Sequence, residues 1–322
     1  MSQQTMRAFN LHLMKLYAAK EYAQALEQVE QEKANFPENL WEIAYWRICL
    51  QALLGEQTEA LQSFQEILDL GLWFSPNRLA RELDMDSLRP LPEFQKMTEV
   101  CQQRFEKIRP TVRPELLVEQ TANRATALPL LIALHGNGEN ASVTIDYWRE
   151  ATSQGWLLAL PQSSQIYDPN SFVWDDREIG INEIRAHLAS LRREQALDQE
   201  RVVLGGFSMG GGQAVWMALR QLIKTRGFIV LAPYLTPAEL EALPALLESQ
   251  KPAALRGCIL VGEEDVECLE VSRKLVEIMR ACNLPGELEV HPGEDHDYPP
   301  NFAEFVSKGL AFIEADTYSQ PS

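Results

Sequence analysis

Gly206-Phe207-Ser208-Met209-Gly210 sets a serine between glycines within the stretch RVVLGGFSMGGGQAVWMAL, residues 201–219. A serine hydroxyl is a poor nucleophile until a base takes its proton during attack, and a neutral imidazole is suited to that near pH 7. Val202-Val203-Leu204 reads as a buried parallel strand, and Gln213–Leu219 has good helix formers and no breaker. A chain turning from strand to helix within one residue is strained at that residue, and flanking glycines let neighbouring backbones approach. Such a turn lifts the hydroxyl above the sheet and aims the next backbone N–H into the same space. The glycines also fit a loose G-x-x-x-x-G from Gly205 to Gly210, but no Lys-Ser or Lys-Thr follows. A nucleotide site is therefore disfavoured.

A nucleophile needs partners, and other strand ends supply candidates. His135-Gly136-Asn137-Gly138-Glu139-Asn140 follows the apolar run Leu128–Leu134, and Pro161-Gln162-Ser163-Ser164 follows Trp156–Leu160. Gly262-Glu263-Glu264-Asp265 follows Cys258–Val261, with Glu267 close behind, so four carboxylates compete for one role. After Leu288–Val290 come His291 and, in the last loop before the terminal helical pattern, His296. His296 and His291 compete for the role of base. Asp295 and Asp297 flank His296 too closely to orient its ring and read as surface charges. His12 and His187 fall in helical patterns and read as solvated.

These pieces need a frame that gathers strand ends. From about residue 115 apolar strands, including Gly227–Ala232, alternate with helical patterns near 142–152, 181–197, 211–223, 237–248, 270–281 and 302–315. That alternation predicts an α/β fold, a mostly parallel sheet with helices on both faces and functional groups at the strands' carboxyl ends.

The pieces LHGNGEN, GGFSMGGGQAV, GEED and GEDHDYP, spread over most of residues 115–315, resemble the α/β-hydrolase superfamily. The likeness is to its carboxylesterase/phospholipase-like branch of small serine esterases. The resemblance implies a triad in the chain order Ser208, Asp265, His296, the G-x-x-D spacing from Gly262 selecting Asp265. It implies an oxyanion hole from the backbone N–H groups of Met209 and of Asn137, with His135 bracing the second turn by hydrogen bonding. Phe172-Val173-Trp174-Asp175-Asp176 resembles the segment before the helix that precedes the nucleophile strand in this branch. Trp174 then either lines the substrate pocket or simply packs. The implied activity is cleavage of a carboxylic ester of a small or medium soluble substrate through an acyl-enzyme, with no metal or organic cofactor. A thioester or amide substrate would leave the same signature.

Residues 1–108 have a different grain, helical throughout. K-E-Y-A-Q-A-L around Ala25 and G-E-Q-T-E-A-L around Ala60 repeat 35 residues apart, which resembles a degenerate tetratricopeptide repeat. Trp73 and Phe74, beside Gly71, read as core or as a lid facing the substrate pocket. Residues 109–114, rich in proline, read as a linker to a catalytic domain over 115–322. The helical part is expected either to cap the pocket within the chain or to dock a protein partner. A rival reading makes it the working surface of an interaction module, with an idle hydrolase scaffold.

Composition bounds the rest. A net charge of −17 argues against nucleic acid or an anionic membrane as partner. Five scattered cysteines without C-x-x-C suggest free thiols in a reducing compartment. With no signal-peptide pattern and no apolar run of membrane-spanning length, a cytoplasmic protein is expected.

Overall fold

The computed structural model describes residues 6–120, 127–250 and 255–315. The chain divides into two compact units. One runs to Val112 and takes in Tyr167–Pro169; the other holds Arg113–Ile166 and the chain from Asn170 onward.

The first unit is helical: α1 (Met6–Ala18), α2 (Tyr22–Glu32), α3 (Leu40–Leu53), α4 (Gln57–Asp69), α5 (Pro76–Arg81) and α6 (Pro92–Ile108). Packing runs α1 on α2, α2 on α3, α3 on α4 and α4 on α6. The 35-residue sequence repeat is a structural one. Lys20 and Gly55 take left-handed φ of 61° and 80° just after α1 and α3. The following amides turn back to cap the helix, Glu21 N–H onto the Leu16 carbonyl and Glu56 N–H onto the Gln51 carbonyl, each at 2.8 Å. Ala25 and Ala60 then fall at matching places in α2 and α4, both fully buried. A small side chain at that point lets paired helices close in.

This unit also buries a charge. Asp168 is fully buried, and its carboxylate accepts from Ser75 N–H at 2.6 Å and from Arg78 Nε at 2.8 Å. The Arg78 guanidinium lies over the rings of Tyr45 and Tyr167, at 4.8 and 5.0 Å. The stretch expected as linker begins with a 3-10 turn over Arg109–Thr111, directly after α6.

The second unit is built on a sheet. Its strands are β1 (Glu115–Glu119), β2 (Leu128–Leu134), β3 (Leu157–Gln162), β6 (Leu197–Phe207), β7 (Gly227–Leu231), β8 (Arg256–Gly262) and β9 (Gly286–His291). Outside this sheet lie the short β5 (Ser171–Phe172) and β4 (Ile166–Asp168), the latter falling mostly in the first unit. The sheet order is β1-β3-β2-β6-β7-β8-β9, parallel except for β1, which runs antiparallel to β3 at the edge.

Strand alternation sorts the apolar side chains into two layers. Leu130, Ile132 and Leu134 of β2 pack with α9 (Arg177–Glu194), α10 (Ser208–Leu219), α11 (Pro237–Gln250) and α12 (Val266–Ala281). Leu131 and Ala133 pack on the other side with α7 (Ala141–Trp148), α8 (Glu150–Ser153) and α13 (Phe302–Glu314). The predicted sheet with helices on both faces is the one observed.

Candidate active site

Ser208 stands where β6 becomes α10, with the only left-handed backbone of that turn, φ 53°. The glycines around it answer to close backbone approaches. A Cβ on Gly206 would sit 2.6 Å from the Gly210 carbonyl carbon. A Cβ on Gly210 would collide with the His135 carbonyl oxygen and lie 2.7 Å from that of Leu134. The end of β2 is thereby pressed against the first turn of α10. The Ser208 carbonyl is fixed by Tyr234 N–H at 2.9 Å.

Asp265 and His296 reach this serine from the ends of β8 and β9. His296 Nε2 is 2.8 Å from Ser208 Oγ, and His296 Nδ1 is 2.5 Å from Asp265 Oδ2. Asp265 is also the N-cap of α12, its Oδ1 accepting from Cys268 N–H at 3.2 Å. Burial alone would raise the Asp265 carboxyl. The His296 hydrogen bond and charge, with the Cys268 donors, outweigh it and hold the group below the usual carboxylate range. Asp265 is therefore ionised at neutral pH.

A file of rings fixes the histidine loop. Phe207 lies 4.8 Å from the His296 ring and 4.8 Å from Tyr298, which stacks on Tyr147 at 3.9 Å and meets Phe302 edge-on at 4.9 Å. The imidazole itself stays accessible, with 39% of its side-chain surface exposed.

The turn after β2 supplies a second set of amides. Gly136 N–H donates to the Glu139 carboxylate, Gly138 N–H to the Phe172 carbonyl and Glu139 N–H to the Gly136 carbonyl. Among the described residues the Asn137 N–H has no acceptor within the protein. Met209 N–H belongs to the first turn of α10, whose amides have no intrahelical partner.

His135 underlies this turn rather than facing outward. Its Nδ1 donates to the Gly136 carbonyl at 2.9 Å and its Nε2 accepts from Ser163 N–H at 3.3 Å. Burial pushes its pKa down to about 4, the Gly136 bond opposing, so the ring is neutral. Trp174 stacks on it at 4.8 Å and donates from Nε1 to the His135 carbonyl at 3.0 Å.

Of the two readings open for Trp174, Trp73 and Phe74, core or pocket wall, burial favours core for all three. Trp174 is 1% exposed and packs beneath the turn, against His135. Trp73 and Phe74 are likewise enclosed, within the helical unit's own core. Trp73 meets Phe105 at 5.5 Å, and Phe74 meets Phe64 at 5.3 Å. Their rings are used up in packing.

The competing titratable groups have other employment. His291 Nε2 pairs with Glu289 at 2.7 Å. Glu263 accepts from Gly293 N–H at 3.3 Å, and Asp295 and Asp297 accept from the amides of His296 and Tyr298. Glu267 sits in the first turn of α12. His12 is exposed, whereas His187 is half-buried and its burial lowers its pKa. Sequence reasoning passed over Cys268, three residues after Asp265, although the N-cap geometry of an aspartate implies a contact at that spacing.

The comparisons with known proteins agree with this architecture. Residues 5–109 match the family model "A/B hydrolase-like, N-terminal domain". An uncharacterised protein from Bacillus cereus ATCC 10987 is 29% identical with a TM-score of 0.55, the alignment covering 96% of this chain and 99% of that one. Esterase PE8, at 18% identity and TM-score 0.52, aligns with 63% of this chain and 98% of its own. A putative dienelactone hydrolase from Klebsiella pneumoniae subsp. pneumoniae MGH 78578 gives 18% and 0.50, covering 62% and 91%. No curated protein matches the chain. The second unit thus has the α/β-hydrolase fold, and it follows a helical domain of the kind the family model describes. Among the described residues no helix is long and apolar enough to cross a membrane.

Proposed function

We propose that this protein is a serine hydrolase that cleaves a carboxylic ester of a small or medium-sized substrate through an acyl-enzyme. The observation carrying this reading is the unbroken hydrogen-bonded line Asp265–His296–Ser208, at 2.5 and 2.8 Å.

Asp265 accepts the Nδ1 proton of His296, which leaves the Nε2 lone pair facing the Ser208 hydroxyl. As Oγ attacks the ester carbonyl, Nε2 takes its proton, and the ionised Asp265 stabilises the imidazolium that forms. Negative charge gathers on the carbonyl oxygen, where the amides of Met209 and Asn137 donate. The imidazolium then protonates the departing alcohol, and the Ser208 acyl ester remains. Water, deprotonated by the same nitrogen, releases the acid and restores Ser208.

Hydrolysis of p-nitrophenyl esters of graded acyl length, by the native protein and by Ser208→Ala, tests the reading. Turnover should fall by at least about 10⁴-fold in the variant. Undiminished turnover would contradict it.

A further inference from the structure

The acid–base pair has a third member that the reaction does not use. Cys268 Sγ lies 3.7 Å from His296 Nδ1, on the nitrogen that faces Asp265. One ligand atom from each of Asp265, Cys268 and His296 falls within 4.8 Å of the other two. Thiolate, imidazole and carboxylate are the donor set of a zinc site. From Zn–S near 2.3 Å and Zn–N near 2.0 Å, a tetrahedral ion would set sulfur and nitrogen about 3.5 Å apart. The nitrogen and carboxylate oxygen would stand about 3.3 Å apart, so the 2.5 Å pair must open by under about 1 Å. Asp265 and Cys268 are buried and His296 is not, which makes the imidazole the movable ligand and the open side.

We infer that Asp265, Cys268 and His296 form an inhibitory zinc site that switches the proposed hydrolase off. The inference rests on the triad reading given above. The inhibition follows from where the imidazole proton must go. In the metal-free enzyme Nδ1 carries the proton and the Nε2 lone pair receives that of Ser208. A zinc ion on Nδ1 binds the Nδ1 lone pair, which is free only once Nδ1 has lost its proton, so that proton is carried through solvent to Nε2 and occupies the Nε2 lone pair. Nε2 then has nothing with which to accept the serine proton. The thiol releases its own proton to solvent as the S–Zn bond forms, and water completes the tetrahedron. No oxidation or reduction is involved. The net charge of −17, with Glu294, Asp295 and Asp297 beside the histidine, draws cations to this face.

Zinc chloride titrated against ester turnover, with each variant compared to its own metal-free rate, tests the inhibition. Turnover of the native protein should fall at least about tenfold and recover with a chelator, and Cys268→Ala should need at least about tenfold more zinc. Cadmium chloride should give a thiolate charge-transfer band in native protein and in Ser208→Ala, absent from Cys268→Ala. That last comparison also separates the site from Cys49, which groups with Glu82 and Asp84 in the helical unit. An unaffected native rate, equal zinc sensitivity in Cys268→Ala, or a band indifferent to Cys268 would overturn the inference. Metal-free protein with neither ester turnover nor fluorophosphonate labelling would instead sink the hydrolase reading, and the cadmium band would still decide whether the site exists.

Discussion

His135 shows how a residue beside the chemistry acts on stability. Its ring is fully buried, neutral, and bonded at both nitrogens. Its folded pKa is about 4, whereas an unfolded histidine titrates near 6.5. Between those values the unfolded chain binds a proton that the folded one refuses, so stability falls as pH drops below about 6.5. The loss amounts to about 3 kcal/mol by the time the folded ring also protonates. Urea unfolding midpoints across this range should therefore rise with pH in the native protein and rise less in His135→Gln; equal slopes would refute the assignment. Ser208, Asp265 and His296 were legible in the sequence because each closes a different strand. Trp174, Trp73 and Phe74 were not, since a tryptophan or phenylalanine reads the same whether its face meets substrate or core.

At the scale of elements, the strand-to-helix turn at Ser208 depends on β2 lying against α10. Gly210→Ala inserts a methyl group into the carbonyl oxygens of His135 and Leu134. The backbone must shift, which should cost at least about 2 kcal/mol of stability and, by displacing the Asn137 and Met209 amides, about 10²-fold in turnover. Denaturant midpoints and ester assays on that variant check both, and native-like values would show that the turn is looser than described. The elements themselves were largely readable. Leu128–Leu134 is a strand over its predicted length, as a continuous apolar run in a parallel sheet should be. β6 extends to Phe207, past the predicted Leu204, because Gly205 and Gly206 keep pairing with Ala133 and Leu134 although glycine has little strand propensity. β1 escaped notice: five residues, mostly exposed, give an edge strand little apolar pattern to read.

Over the whole molecule, the chain returns to the helical unit for three residues, Tyr167–Pro169, after the hydrolase fold has begun. No sequence pattern marks this, because a lone aspartate in a loop carries no sign of its buried partner. Arg78→Met keeps most of the side chain's bulk but leaves the Asp168 carboxylate unpaired in the interior. The helical unit should then lose about 3–5 kcal/mol of stability, read as a lowered thermal or denaturant midpoint. A change within about 0.5 kcal/mol would mean that Ser75 N–H alone satisfies the charge. The 35-residue repeat, by contrast, was readable in the sequence from the likeness of K-E-Y-A-Q-A-L to G-E-Q-T-E-A-L.

Ser208 is the proposed nucleophile. Treating the native protein with a fluorophosphonate and mapping the modified peptide tests this without knowledge of the substrate. A single stoichiometric adduct on Ser208 is expected, formed far more slowly in His296→Ala, which lacks the base. Labelling at another residue, or none on folded protein, would contradict it.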